Sequence, residues 1–265
     1  MTLSKPTVGE RLLSFLFIDP LIYMYTVVLG TLSLLSSFFD KDGNIQHGFA
    51  RLWSTLILKT AFCPVTVEGL DRIDTSKSHI YVANHLSALD IPMLYSALPF
   101  QFRILAKKEL FSYPFMGWHL SRSGQIPLVF EDPRSSLRSL LQASRTAHSG
   151  MPLMIFPEGG RSEDGTMKEF KGGAFFVAIK AKVDIVPVVL VGSFEALPMN
   201  HYVIQSRPFK LIFGHPISTE GMAPRDMEKL AAQTKAVMED IYYAHADIPD
   251  PRNSATAKDV QAVDQ

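Results

Sequence analysis

The sequence predicts an α/β fold: a mixed, mostly parallel sheet of about seven strands flanked by helices, with an N-terminal membrane-embedded helical segment. Three observations carry this. From residue 65 onward, short runs rich in Val, Ile and Leu alternate with segments of helical periodicity, the pattern of a layered α/β domain. Most of those runs are apolar throughout, as in strands covered on both faces. Residues 20–39, PLIYMYTVVLGTLSLLSSFF, carry no charge, and a helix of that length at ~1.5 Å per residue reaches about 30 Å, the thickness of a bilayer core.

At the N-terminus the stretch Leu12–Ile18 is also apolar, and Asp19 and Pro20 separate it from the longer run. This reads either as one spanning helix or as two short helices dipping into one leaflet. Lys5 and Arg11 precede the run and Lys41 and Arg51 follow it, so charge sets no orientation. That balance suits a hairpin with both ends on the cytosolic side. Residues 40–50 read as a polar break. Residues 51–62 read as an interfacial helix with Trp53 at headgroup level.

Strands are predicted at Val65–Glu68, His79–Ala83, Phe102–Ala106, Gln125–Val129, Pro152–Phe156, Ile185–Val191 and Phe209–Phe213. Pro187, inside the sixth, predicts an edge strand or a bulge. Between strands, Asp132 and Pro133 open a helix through His148, since Asp caps helices and Pro suits the first turn. Further helices are predicted over Phe170–Lys182 and Pro224–His245, the latter with apolar residues at helical spacing. The organisation is then 1–50, membrane-anchoring segment; 51–248, α/β domain; 249–265, a polar, flexible tail.

Lys plus Arg total 26 and Asp plus Glu total 26, so there is no basic excess of the kind nucleic-acid binding demands. The single Cys63 excludes an internal disulfide and a cysteine-based zinc cluster, and no metal site is expected.

Candidate chemistry sits at strand ends, where α/β ligand sites gather. The first segment is Asn84-His85-Leu86-Ser87-Ala88-Leu89-Asp90. On a regular helix, His85 and Asp90 would be about 140° apart, so they meet only if the segment is a loop. Asn84 and Ser87 favour a loop, and Pro92 suits a helix starting at Asp90. Aspartate accepting from one imidazole nitrogen leaves the other free to take a proton. The second segment is Phe156-Pro157-Glu158-Gly159-Gly160-Arg161-Ser162. Gly159 and Gly160 permit a tight turn and a close ligand. Arg161 suits a phosphate, and Glu158 either orients Arg161 or accepts from a substrate hydroxyl. In the third, Lys107 or Lys108 adds positive charge.

In these residues the sequence resembles the 1-acylglycerol-3-phosphate O-acyltransferases, the lysophosphatidate acyltransferases. Their Asn-His-x4-Asp hallmark is matched by Asn84, His85 and Asp90. Their Phe-Pro-Glu-Gly-x-Arg-Ser hallmark is matched by Phe156, Pro157, Glu158, Gly159, Arg161 and Ser162. The Lys-Lys-Glu-Leu segment, the region of Pro114, Gly117 and Trp118, and the Val-Pro-Val strand look like further blocks, and the likeness covers about residues 50–220. One block departs: Gly124 is followed six residues later by Phe130, where the family usually has arginine.

The resemblance implies a membrane enzyme with its catalytic domain on the cytosolic side of an inner or endoplasmic-type membrane. His85 is then the general base and Asp90 its partner. Asn84, Lys107, Glu158, Gly159, Gly160 and Arg161 line the substrate site. The partners implied are membrane lipids, lysophosphatidate and, as donor substrate, acyl-CoA or acyl carrier protein, with no cofactor. The nearest alternative is the same transfer to another lysolipid, such as an amino-acid lysolipid. More distant ones are a hydrolase built on Ser87, His85 and Asp90, and a non-catalytic lipid-binding protein.

Overall fold

The computed structural model describes residues 5–130 and 132–253. It opens with one helical rod. Helix α1 (Val8–Leu13) passes through a π-helical stretch (Ser14–Ile18) into α2 (Asp19–Ser36) without interruption. Asp19 and Pro20 therefore do not divide two helices. Proline lacks an N–H and crowds the preceding turn, and the wider π turn just before it accommodates both effects.

The rod ends in a short turn at residues 37–43, and α3 (Asn44–Thr60) returns alongside it. The polar break is shorter than residues 40–50 because the Asp40 side chain caps a helix that starts at Asn44. Its carboxylate accepts from Asn44 N at 3.0 Å and Gln46 N at 2.8 Å, satisfying N–H groups that helix starts leave open. Gly43 supplies the left-handed φ of +73° that the cap needs. Helix α3 thus runs across the boundary placed at residue 50. Two polar contacts lock the hairpin: Trp53 Nε1 donates to Thr26 Oγ1 at 2.9 Å, and the Tyr25 and Thr60 hydroxyls meet at 3.3 Å.

The rest follows as β1 (Val65–Glu68), β2 (Ile80–Ala83), α4 (Asp90–Ala97), β3 (Arg103–Lys107), α5 (Met116–Arg122), β4 (Ile126–Leu128), α6 (Pro133–His148), β5 (Leu153–Ile155), α7 (Gly173–Ala181), β6 (Ile185–Val191), α8 (Ser193–Ala196), β7 (Phe209–Phe213) and α9 (Met227–His245). The sheet order is β1-β7-β6-β2-β5-β3-β4. Every pairing is parallel except β6 with β7. The fold is the mixed, mostly parallel seven-stranded one the sequence predicts, each strand within a residue of its expected ends.

Pro187 is the exception to its own rule. Strand β6 lies inside the sheet, between β7 and β2. The Pro187 carbonyl accepts from Gly214 N at 2.9 Å, so it faces the β7 side. In a strand the N–H and C=O of one residue point the same way, so the missing donor falls where β7 has just ended at Phe213. No ladder bond is lost.

Alternate residues of the buried strands feed two cores. Ile80 and Val82 face α6, α7 and α9, through residues such as Ala143, Phe175 and Leu230. Tyr81 and Ala83 face α3 and α4, through Ile57, Leu58, Met93 and Leu94. Ile18 of the rod, 1 % exposed, belongs to this second core. The N-terminal segment is therefore packed onto the α/β domain. Of the tail placed at 249–265, only 249–253 is described. There Arg252 pairs with Asp250 and Asp240, and the remainder lies outside the described residues.

Candidate active site

Four parallel neighbours, β2, β5, β3 and β4, end on the same edge of the sheet. The chain leaves β2 into Asn84 and His85, β5 into Phe156 to Arg161, and β3 at Lys107, and beyond β4 it reaches Phe130. Segments more than seventy residues apart in sequence become adjacent loops for this reason.

His85 and Asp90 meet as the loop reading requires. His85 Nδ1 and Asp90 Oδ2 are 2.8 Å apart. Asp90 begins α4 and is fully buried. The same Oδ2 accepts from the backbone N–H groups of Leu86 at 2.7 Å and Ser87 at 2.9 Å. Because that oxygen accepts from both backbone N–H groups, the 2.8 Å contact is assigned as His85 Nδ1–H donating to it. Nε2 is left as the acceptor, and it makes no hydrogen bond among the described residues. The His85 side chain is 19 % exposed, and the Phe156 ring stacks on it at 4.2 Å. The imidazole is held on one face by an aromatic ring and on one edge by a carboxylate, with Nε2 unengaged among the described residues.

Glu158 serves differently from either role expected of it. Its Oε1 accepts from His85 N at 2.7 Å and its Oε2 from Lys168 N at 3.0 Å. With 5 % exposure and both oxygens engaged, it is not aimed at Arg161 or at a substrate hydroxyl. It joins the two loops, and Ser162 N donating to the His85 carbonyl at 2.9 Å closes the same seam. Burial pushes the Glu158 carboxyl up to about 7, against the pull of the Lys168 and His85 N–H groups.

Asn84 also departs from expectation. Fully buried, its amide accepts from Leu190 N at 2.8 Å and donates to Leu190 O at 3.0 Å. Both polar atoms are bound to β6, so Asn84 anchors the loop and presents nothing to a ligand. Ser87 is likewise enclosed. Its Oγ donates to the Leu197 carbonyl at 2.8 Å and accepts from Leu89 N, which removes it as the nucleophile of a hydrolase. Cys63 is buried elsewhere, where desolvation raises its thiol.

Gly159 adopts φ +72°, and a Cβ there would lie 2.8 Å from Lys171 Nζ. Gly160 has open space around its Cα. The Arg161 guanidinium makes no hydrogen bond or ion pair among the described residues, while its carbonyl accepts from Lys168 Nζ at 2.5 Å. Lys107 is exposed at the end of β3, with Nζ 5.8 Å from the centre of the Phe130 ring.

The family model described as acyltransferase matches residues 64–191. The 1-acyl-sn-glycerol-3-phosphate acyltransferase of Saccharomyces cerevisiae is 31 % identical over 212 residues, 78 % of this chain and 69 % of that protein. The chain belongs to the acyltransferase family. A chloroplastic 1-acyl-sn-glycerol-3-phosphate acyltransferase of Arabidopsis thaliana is 38 % identical over 154 residues, 58 % of this acyltransferase-family chain and 43 % of that protein. The chain spans about half the length of the plant and algal relatives it matches. The crystal structure of the 1-acyl-sn-glycerophosphate acyltransferase PlsC from Thermotoga maritima has the same fold. Its TM-score is 0.70 at 24 % identity, over 86 % of this chain and 96 % of that one.

Two residues against these loops have contacts that the sequence does not show. Phe156 reads as the last residue of a strand, and only the sheet shows its ring on His85. Lys171 reads as the first turn of a helix, although α7 begins two residues later, at Gly173.

Proposed function

We propose that this chain is an O-acyltransferase that moves a fatty acyl group from the thioester of acyl-CoA or acyl carrier protein to the sn-2 hydroxyl of 1-acylglycerol 3-phosphate, making phosphatidate. The observation that carries the reading is the 2.8 Å contact between His85 and Asp90, with Nε2 open and the guanidinium of Arg161 unengaged on the adjoining loop. The likeness to the yeast and chloroplast 1-acyl-sn-glycerol-3-phosphate acyltransferases suggests the acceptor.

In this mechanism Arg161, helped by Lys107, binds the acceptor's phosphate. The sn-2 hydroxyl gives its proton to His85 Nε2 as its oxygen attacks the thioester carbon. Asp90 stabilises the imidazolium. The C–S bond then breaks, and the imidazolium returns the proton to the leaving thiolate. No acyl-enzyme forms, consistent with the enclosed Ser87 and Cys63. Glu158 and Asn84 are positioning residues, acting through the loop that holds His85.

The same proposal places the enzyme on one leaflet. The rod from Val8 to Ser36 is long and apolar enough to cross a membrane, and at ~1.5 Å per residue it measures about 43 Å. Yet it touches the α/β domain near both ends. Ser14 Oγ accepts from Ile204 N at 3.3 Å, and Ser33 Oγ meets His119 Nδ1 at 2.9 Å. A spanning helix would carry one end across about 30 Å of hydrocarbon, away from the domain. A rod held flat instead exposes an apolar outer surface, including Phe15, Phe17, Tyr23 and Leu35. That surface lies in the leaflet on the cytosolic side, and the acceptor's chain stays in lipid while its head group meets His85.

The test is an acceptor panel with labelled acyl-CoA: lysophosphatidate, glycerol 3-phosphate, lysophosphatidylcholine and an amino-acid lysolipid. Labelled phosphatidate from the first, absent with His85→Ala, is the expected result. Preference for the amino-acid lysolipid would move the proposal to that acceptor.

A further inference from the structure

The position where the family usually carries arginine holds Phe130, and two lysines gather on its ring. Lys171 Nζ lies 4.4 Å from the ring centre and Lys107 Nζ 5.8 Å. Lys171 is fixed from its other side as well. Its stem crosses Gly159, where a Cβ would lie 2.8 Å from Nζ, 3.1 Å from Cε and 3.4 Å from Cδ. Its backbone N donates to the Pro157 carbonyl at 2.9 Å. Neither ammonium has an ion pair or hydrogen bond among the described residues.

Two unpaired like charges on one ring repel each other. The face of an aromatic ring attracts each of them, and an anion between them would remove the repulsion. Lys171 lies along the turn that leads to Arg161, whose guanidinium is also unengaged. The loops after β3 and β5 thus carry three cations, Lys107, Arg161 and Lys171, and the segment after β4 carries the Phe130 ring between the two lysines.

We propose that Lys171, seated across Gly159 and on the Phe130 ring, is a phosphate-binding residue of the acceptor site, and that Phe130 is the positioning residue that sets Lys171 and Lys107 around a phosphomonoester. The inference rests on the acceptor reading above and deepens it. A phosphomonoester carries about −1.5 to −2 charges at neutral pH, whereas a phosphodiester head group carries one phosphate charge. A cluster of three cations therefore selects lysophosphatidate over lysophosphatidylcholine. It also explains how the site works without an arginine at position 130.

The experiment compares wild type with Lys171→Met, which keeps the stem across Gly159, and with Phe130→Leu and Phe130→Tyr. Each is assayed for transfer to lysophosphatidate and for competition by glycerol 3-phosphate, with thermal unfolding as the check on folding. Lys171→Met should raise the KM for lysophosphatidate about tenfold, more than it changes kcat. That is the loss of one charge-assisted contact of about 1.4 kcal/mol. It should weaken competition by glycerol 3-phosphate by a similar factor. Phe130→Leu should raise KM severalfold, and Phe130→Tyr, which keeps the ring, should restore it. If wild type uses lysophosphatidate and folded Lys171→Met matches it in KM and in competition, the Lys171 assignment is overturned while the acceptor reading stands. If wild type ignores lysophosphatidate, the acceptor reading falls and takes this site with it.

Discussion

Replacing Asp90 by asparagine removes one charge at a site whose hydrogen bonds decide how the new amide must sit. Oδ2 of Asp90 accepts from His85 Nδ1, Leu86 N and Ser87 N, whereas Oδ1 is buried without a partner. The asparagine oxygen must take the Oδ2 place, because an NH2 there would face three donors. The imidazole then keeps its proton on Nδ1, and Nε2 remains a base. What is lost is attraction between carboxylate and imidazolium in the transition state. At a charge separation of about 4 Å and an effective dielectric constant near 20, that attraction is roughly 4 kcal/mol, equivalent to about a thousandfold in kcat. The amide nitrogen, left where Oδ1 was, has no acceptor and costs about 1–3 kcal/mol of stability. Saturating transfer assays with lysophosphatidate and labelled acyl-CoA, alongside thermal unfolding, measure the two effects separately. A folded Asp90→Asn protein keeping more than a tenth of wild-type kcat would refute the electrostatic role. A loss as deep as that of His85→Ala would mean that the amide had reversed and the tautomer with it.

Two other outcomes follow from burial. Because the Glu158 carboxyl is pushed up to about 7 in the folded chain, against an ordinary value of 4.5, the folded state favours its protonated form. Its contribution to stability is full below about pH 4.5 and is lost as pH rises through 7, on the order of 3 kcal/mol. Glu158→Gln should flatten that slope in urea unfolding between pH 5 and pH 8, and an unchanged slope would assign it to other groups. On the rod and the turn after it, Phe15 and Phe39 are 76 % and 87 % exposed, so if this surface meets the membrane as proposed, Phe15→Glu with Phe39→Glu should leave the melting temperature near wild type while reducing sedimentation with anionic vesicles. Undiminished binding would place the anchor elsewhere. Point charges are the appropriate perturbation, because deleting residues 1–45 would remove Ile18 from the core and the Asp40 cap from α3.

The strands were legible because each is a local apolar run closed by turn residues, and burial on both faces leaves that mark without reference to any partner. The His85–Asp90 contact was legible for a related reason: five residues on a helix turn the two side chains apart, so the chemistry itself demanded a loop, and Asn84, Ser87 and Pro92 supplied one. Asn84 shows where such reasoning stops. Its partner is Leu190, 106 residues away, and a hydrogen bond across the sheet leaves no periodicity in either segment. The same holds for the rod. Twenty uncharged residues describe equally a helix that crosses a bilayer and one that lies on it, because length and hydropathy do not encode where Ser14 and Ser33 find their partners. Proline at 187 misled because its rule concerns a missing donor, and a donor is missed only where a neighbour offers an acceptor. Lys171 was hidden differently. Its surroundings are Gly159, whose missing Cβ makes room for the stem, and Phe130, whose ring replaces an arginine. Neither neighbour reveals itself as part of a cation site until the parallel order of β2, β5, β3 and β4 sets their loops side by side. Local motifs therefore identify which residues can do chemistry, whereas strand order decides which of them do it together.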